Sequence, residues 1–206
     1  MTRSVAVRAG THLVFGASGY IGSNLVPALV AAGHRVRATA RNVEVLEARG
    51  WNEVDLVRAD ALDVDSLRQA LAGVDTAYYL VHSMAAGRDF AAIDRQAAGN
   101  FARVAAEAGV RRIVYLGGLI PPDPRSQHLL SRAETGEVLR SFPVPVTEIR
   151  AGMIIGPGSA AFEVIRDLVN HLPVMVTPAW VRSRSTPIAL PDLLAYMVAV
   201  PDIDVA

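Results

Sequence analysis

The sequence predicts an α/β chain built on a doubly wound parallel sheet. Three observations carry this expectation: short apolar runs recur through residues 10–150, helical stretches separate them, and a glycine triplet follows the first run and opens a helix. Strands joined by helical crossovers pair in parallel, because a tight turn cannot reverse the chain over that length.

The elements follow in order. Strand one is expected over 12–15 and its helix over 20–32, closed by Gly33. A second strand at 35–39 leads to a short helix at 43–49, and a third strand at 54–59 to a helix at 63–71 with Asp63 as N-cap. Strand four is expected over 76–81, a long Ala-rich helix over 90–108, strand five over 112–116, a helix over 127–140 and strand six over 144–149. Beyond Arg150 the pattern loosens into a helix at 160–170, a Pro-punctuated stretch, a short strand at 186–189 and a last helix at 192–200. The whole chain, 1–206, is read as one domain, with its core over 10–150 and a short substrate-side segment over 151–206.

The composition narrows the chemistry. With 20 basic and 20 acidic residues the net charge is zero, which offers no general attraction to nucleic acid or to an anionic membrane surface. The absence of cysteine excludes disulfides, thiolate ligands and a Cys nucleophile, and fits a cytoplasmic location. All the basic residues are Arg, so any step that needs an ε-amine is excluded. The uncharged run 13–33 is long enough to span a bilayer, but it contains four glycines, Ser18, Ser23, Asn24 and Pro27, and divides better into strand, turn and amphipathic helix.

The turn Gly16-Ala17-Ser18-Gly19-Tyr20-Ile21-Gly22 has the features that a dinucleotide pyrophosphate requires: a tight bend, close backbone approach and a helix N-terminus aimed at the negative charge. Placed after a strand and before a helix, it marks a Rossmann-type NAD(P) site. The end of strand two carries Arg41 rather than the acid that would bind a ribose 2′-hydroxyl. Arg41 can pair with a 2′-phosphate, so NADP(H) is expected over NAD(H); a solvated strand-end charge is the alternative. Asp60, just past strand three, is placed to accept from the adenine amino group or to cap its own turn. His82 and Ser83 stand at the carboxyl end of strand four, where such sheets bind ligands. A cofactor contact is favoured there, because no carboxylate can be assigned to make a Ser-His-Asp set. Tyr78 and Tyr79 must face opposite sides of the sheet.

These motifs resemble the atypical and extended short-chain dehydrogenase/reductase superfamily, in particular its NmrA-like NAD(P)H-binding branch. The resemblance assigns Asp60 and Ala61, within Arg58 to Asp63, to the adenine side. It sets Leu80, Val81 and His82, within Tyr79 to Met84, beside the cofactor, and it brings Gly117 to the strand that carries a catalytic Ser in related reductases. The segment Arg150 to Gly158 resembles the loop near the nicotinamide. The resemblance also implies that an Asn at position 100 orients the catalytic strand, an exposed Asn being the alternative.

The departures fall on catalysis. Where such reductases carry Tyr-x-x-x-Lys, this chain has His128 and Arg132, and where they carry Ser it has Gly117 and Gly118. His128 is the candidate acid and Arg132 a candidate ribose or substrate contact. Two functions follow: an NADPH-dependent oxidoreductase that passes hydride to a small apolar acceptor of quinone or enone type, or a non-catalytic NADP(H)-binding redox sensor or assembly factor that acts through protein partners. The substrate, self-association and the presence of a further domain stay open, as does the choice between a fragment and a short member of the group.

Overall fold

A computed structural model describes residues 10–82, 90–121, 126–171 and 186–203. Six parallel strands stand in the order β3-β2-β1-β4-β5-β6: β1 Thr11–Phe15, β2 Arg35–Ala40, β3 Val54–Arg58, β4 Val74–Tyr79, β5 Arg112–Gly118 and β6 Val146–Ala151. The helices are α1 Tyr20–Ala31, α2 Glu44–Glu47, α3 Val64–Leu71, α4 Phe90–Glu107, α5 Gln127–Arg140, α6 Ala160–His171 and α7 Leu190–Ala199.

Strand side chains alternate between two buried layers, which is why the central strands read as continuous apolar runs. Leu13, Phe15, Tyr79, Ile113 and Tyr115 enter the layer with α3, α4 and α5, alongside Leu67, Phe101 and Leu139. Val14, Tyr78, Val114 and Leu116 enter the opposite layer with Leu25 and Leu29 of α1 and Leu193 and Met197 of α7. The adjacent tyrosines thus part as expected, and the Tyr78 hydroxyl donates to the Met197 carbonyl at 2.9 Å. Arg112, buried on β5, donates to the carbonyls of Val200 and Ile203, tying the last described turn to the sheet.

Several boundaries differ from the sequence expectation. Strand four begins two residues earlier and ends at Tyr79, and strand five runs on through Gly117 and Gly118, because pairing with β6 continues to Ala151. A strand not anticipated, β7 Ile154–Ile155, pairs in parallel with β8 Ile188–Ala189. Asp63 caps α3 as expected, its Oδ1 accepting from the backbone N–H groups of Asp65 and Ser66. The Pro-punctuated stretch after α6 lies largely outside the described residues, as do Ser83 and Met84. No described helix is long and apolar enough to cross a membrane.

Candidate functional site

The strand order reverses between β1 and β4, which leaves a crevice at their carboxyl ends. A groove of about 510 Å³ opens there. Its walls include Gly16, Ser18 and Gly19 from the glycine turn, Arg41 from the end of β2, Asp60 and Ala61 from the end of β3, and Leu80, Val81 and His82 from the end of β4.

The turn has three separate reasons for glycine. Gly16 has φ +95°, a conformation that disfavours side chains, and a Cβ there would meet Val81 Cγ1 at 3.0 Å. A Cβ on Gly22 would lie 2.4 Å from the Gly16 carbonyl oxygen and 2.7 Å from Ala17 Cα, so this glycine lets α1 pack against the turn. Gly19 has an ordinary backbone, and a Cβ on it would touch only the Gly16 carbonyl oxygen, at 3.3 Å. It caps α1 without a side-chain hydrogen bond, and the first turn carries no acidic residue. A helix N-terminus left this way, beside a cradle that a side chain would fill, fits a pyrophosphate.

Arg41 is exposed and lines the groove. Asp60 serves its own turn, Oδ1 accepting from the Leu62 N–H at 2.9 Å, and still lines the groove. Tyr20, Ile21, Gly22 and Gly117 do not line it. Asn100 is half-buried, and its amide donates to the Ala61 carbonyl at 3.1 Å, bracing the end of β3 from α4.

His82 and Asp94 line the groove and meet residues distant in sequence, while the expected catalytic pair His128 and Arg132 does not itself line it. His82 Nδ1 is 2.7 Å from Asp94 Oδ2, and His82 Nε2 is 2.9 Å from His128 Nδ1. Ser131 donates to the same Asp94 oxygen at 3.1 Å. Helix geometry explains this convergence: His128, Ser131, Arg132 and Thr135 fall at i, i+3, i+4 and i+7 of α5 and share a face. Asp94 stands on the face of α4 that buries Ala98 and Phe101. The carboxylate that sequence reading could not assign to His82 is therefore Asp94; its signal was an acid on the apolar stripe of a helix. Burial lowers the affinity of His82 for a proton, Asp94 opposes this, and His128 and Arg132 add to the lowering. Burial, and then Arg132, holds His128 below the ordinary imidazole range against the pull of Asp94.

Arg132 turns toward the sheet, where Nη2 donates to the Leu116 carbonyl and the backbone carbonyl accepts from the Tyr115 hydroxyl at 2.8 Å. Gly118 lies beside it, and a Cβ there would make only ordinary contact, 3.6 Å from Arg132 Nε. Gly117 makes space for Glu148 instead, a Cβ lying 2.5 Å from Oε1. Glu148 is pinned by Arg140 at 2.7 Å and Arg150 at 3.0 Å, so it cannot swing aside freely. Restoring a hydroxyl with Gly117→Ser is accordingly expected to lower stability by about 1–3 kcal/mol through overpacking. Urea unfolding measures this, and an unchanged midpoint would show that Glu148 yields.

A family model described as NAD(P)H-binding matches residues 16–142. Cinnamoyl-CoA reductase 1 of Oryza sativa subsp. japonica is 37% identical over 109 residues, which are 50% of this chain and 32% of that protein. The chain thus matches about a third of that relative's length. Among solved structures, DesIV, a dTDP-glucose 4,6-dehydratase from Streptomyces venezuelae with NAD bound, superposes with a TM-score of 0.75 at 20% identity, covering 93% of this chain and 71% of that one. The Citrobacter sp. triphenylmethane reductase complexed with NADP(H) gives 0.63 at 22% identity, covering 78% and 54%.

Proposed function

The chain belongs to the NAD(P)H-binding family, within the atypical and extended short-chain dehydrogenase/reductase superfamily, and on that premise we propose that it is an NADPH-dependent oxidoreductase acting on a small apolar acceptor of quinone or enone type. The observation that carries this reading is the contact of His128 with His82, which lines the groove, with no Tyr-x-x-x-Lys pair in the chain. The NmrA-like branch is favoured by the spacing of Gly16, Gly19 and Gly22.

In this reading the N-terminus of α1 and Gly19 hold the pyrophosphate, Arg41 the 2′-phosphate, and Asp60 and Ala61 the adenine side. Leu80, Val81 and His82 border the nicotinamide, which supplies hydride when bound. His128 offers the proton that a reduced acceptor takes up, while Arg132, one turn along α5, is held by the Leu116 carbonyl. A conjugated acceptor suits such a site because it spreads the arriving charge and asks little of a single donor.

Preference for NADPH rests on Arg41. Fluorescence titration is expected to show tighter binding of NADPH than of NADH, and Arg41→Ala to weaken NADPH by roughly 10-fold, as for an exposed charge-assisted hydrogen bond, while leaving NADH unchanged. Equal affinities in the unmutated protein would remove Arg41 from the site. Activity is tested by NADPH oxidation with a quinone.

A second reading, the redox sensor or assembly factor, is favoured by the exposed apolar stripe of Val164, Ile165, Leu168 and Val169 on α6, a surface suited to a protein partner. Tight NADPH binding with no turnover of any acceptor would select it.

A further inference from the structure

The row Asp94, His82 and His128 spans three elements, α4, the end of β4 and α5, and its two contacts are 2.7 and 2.9 Å. The proton positions follow from the partners. A carboxylate only accepts, so the shared proton lies on His82 Nδ1, and neutral His82 offers a lone pair at Nε2. His128 must then donate from Nδ1, which leaves its Nε2 as the ring nitrogen for a ligand. Ser131 holds Asp94 in place from the same face of α5. Among the described residues, the other titratable groups facing the row are Arg132 from α5 and the tyrosines Tyr79 and Tyr115 from the sheet, both kept protonated by burial.

We infer that Asp94, His82 and His128 form one proton relay, in which His128 Nε2 meets the acceptor while His82 and Asp94 are positioning residues that hold the proton charge away from Arg132. The inference rests on the reading of this groove as an oxidoreductase site. When the row carries an extra proton, the charge resides on His82 against the Asp94 carboxylate, with His82 Nε2 donating to His128 Nδ1 and a proton on His128 Nε2. As the reduced acceptor forms, the His128 Nε2–H bond breaks and an acceptor O–H bond forms. The proton on His82 Nε2 crosses to His128 Nδ1, and His82 returns to neutrality with its Nδ1 proton still on Asp94. The row loses one proton and no electrons, the hydride pair having come from NADPH, and water restores the proton. The reverse sequence takes a proton from a hydroxyl. Burial lowers both rings first; after it Asp94 outweighs Arg132 at His82 and Arg132 outweighs Asp94 at His128, so of the two rings the one that touches substrate is the less favoured to carry the charge.

The test pairs a spectroscopic readout on cofactor-free protein with kinetics. Histidine ¹⁵N NMR is expected to show His82 and His128 titrating together, with both neutral rings protonated at Nδ1. Asp94→Asn, close in shape, should lower the apparent pKa of the pair by roughly one unit or more. It should also reduce kcat for a quinone on the order of 10²-fold, and move the falling limb of the pH profile to lower pH, with NADPH affinity unchanged. His82→Gln keeps a hydrogen bond but cannot take the charge, and should lose kcat equally. If the unmutated protein turns over no acceptor, the functional reading fails and the NMR coupling alone decides the relay. A titration of His128 that is the same in the unmutated protein, Asp94→Asn and His82→Gln overturns it.

Discussion

Gly19→Val is expected to abolish binding of both NADPH and NADH. The backbone at Gly19, φ −74° and ψ 169°, is one that valine adopts readily, and its Cβ would press on a single atom of the protein, the Gly16 carbonyl oxygen at 3.3 Å, which need give by only a few tenths of an ångström. The substitution therefore spares the fold and acts on the cradle, since the branched side chain fills the space over the N-terminus of α1 and blocks the approach of phosphate to the backbone. A loss of at least roughly 100-fold, about 3 kcal/mol, is expected by fluorescence titration, with an unchanged circular dichroism spectrum. Binding retained at unmutated strength would mean that the turn faces something other than the cofactor.

The second large effect concerns the acceptor. A simple ketone develops alkoxide charge that a positioned acid must meet, and such proton donation is worth about 10²–10⁴-fold. Here the hydroxyl, the phenol and the ammonium that related reductases use are absent, and His128, lowered by burial and by Arg132, is mostly neutral at pH 7. A quinone delocalises the charge and is less dependent on the donor. NADPH oxidation is therefore expected with quinones and to be negligible with ketones, and His128→Ala should slow the quinone reaction while leaving NADPH affinity intact. Efficient ketone turnover that disappears in His128→Ala would reverse this expectation and make His128 a full replacement for the missing Tyr. The same lowering fixes the direction of the pH effect: the donor form is lost as pH rises through a value below the ordinary imidazole range, so quinone reduction should fall with increasing pH.

Much of this was legible in the residues. The apolar runs, their spacing and the strand-turn-helix setting of Gly16 to Gly22 are local properties, and they determined the parallel sheet and the position of the crevice. Nine of the residues expected at the cofactor, from Gly16 to His82, line that groove, because each stands at the carboxyl end of a strand and strand ends are set by local pattern. The exact ends of β4 and β5 were not legible, since a ladder stops where its neighbour stops pairing.

The row of Asp94, His82 and His128 was legible only in part. That His128 and Arg132 stand one turn apart on a helix follows from their spacing. That His82 meets His128 across 46 positions, and that Asp94 completes the row, does not. No period relates the end of a strand to two separate helices. Only the packing of α4 and α5 on the same face of the sheet brings a buried carboxylate, two imidazoles and Ser131 within hydrogen-bond distance, and burial then lowers the proton affinity of both imidazoles. The sequence by itself determined the scaffold and the glycine turn that borders the crevice, which depend on short-range pattern; the tertiary structure decided the contacts among Asp94, His82 and His128, which depend on packing between elements that the chain order keeps apart.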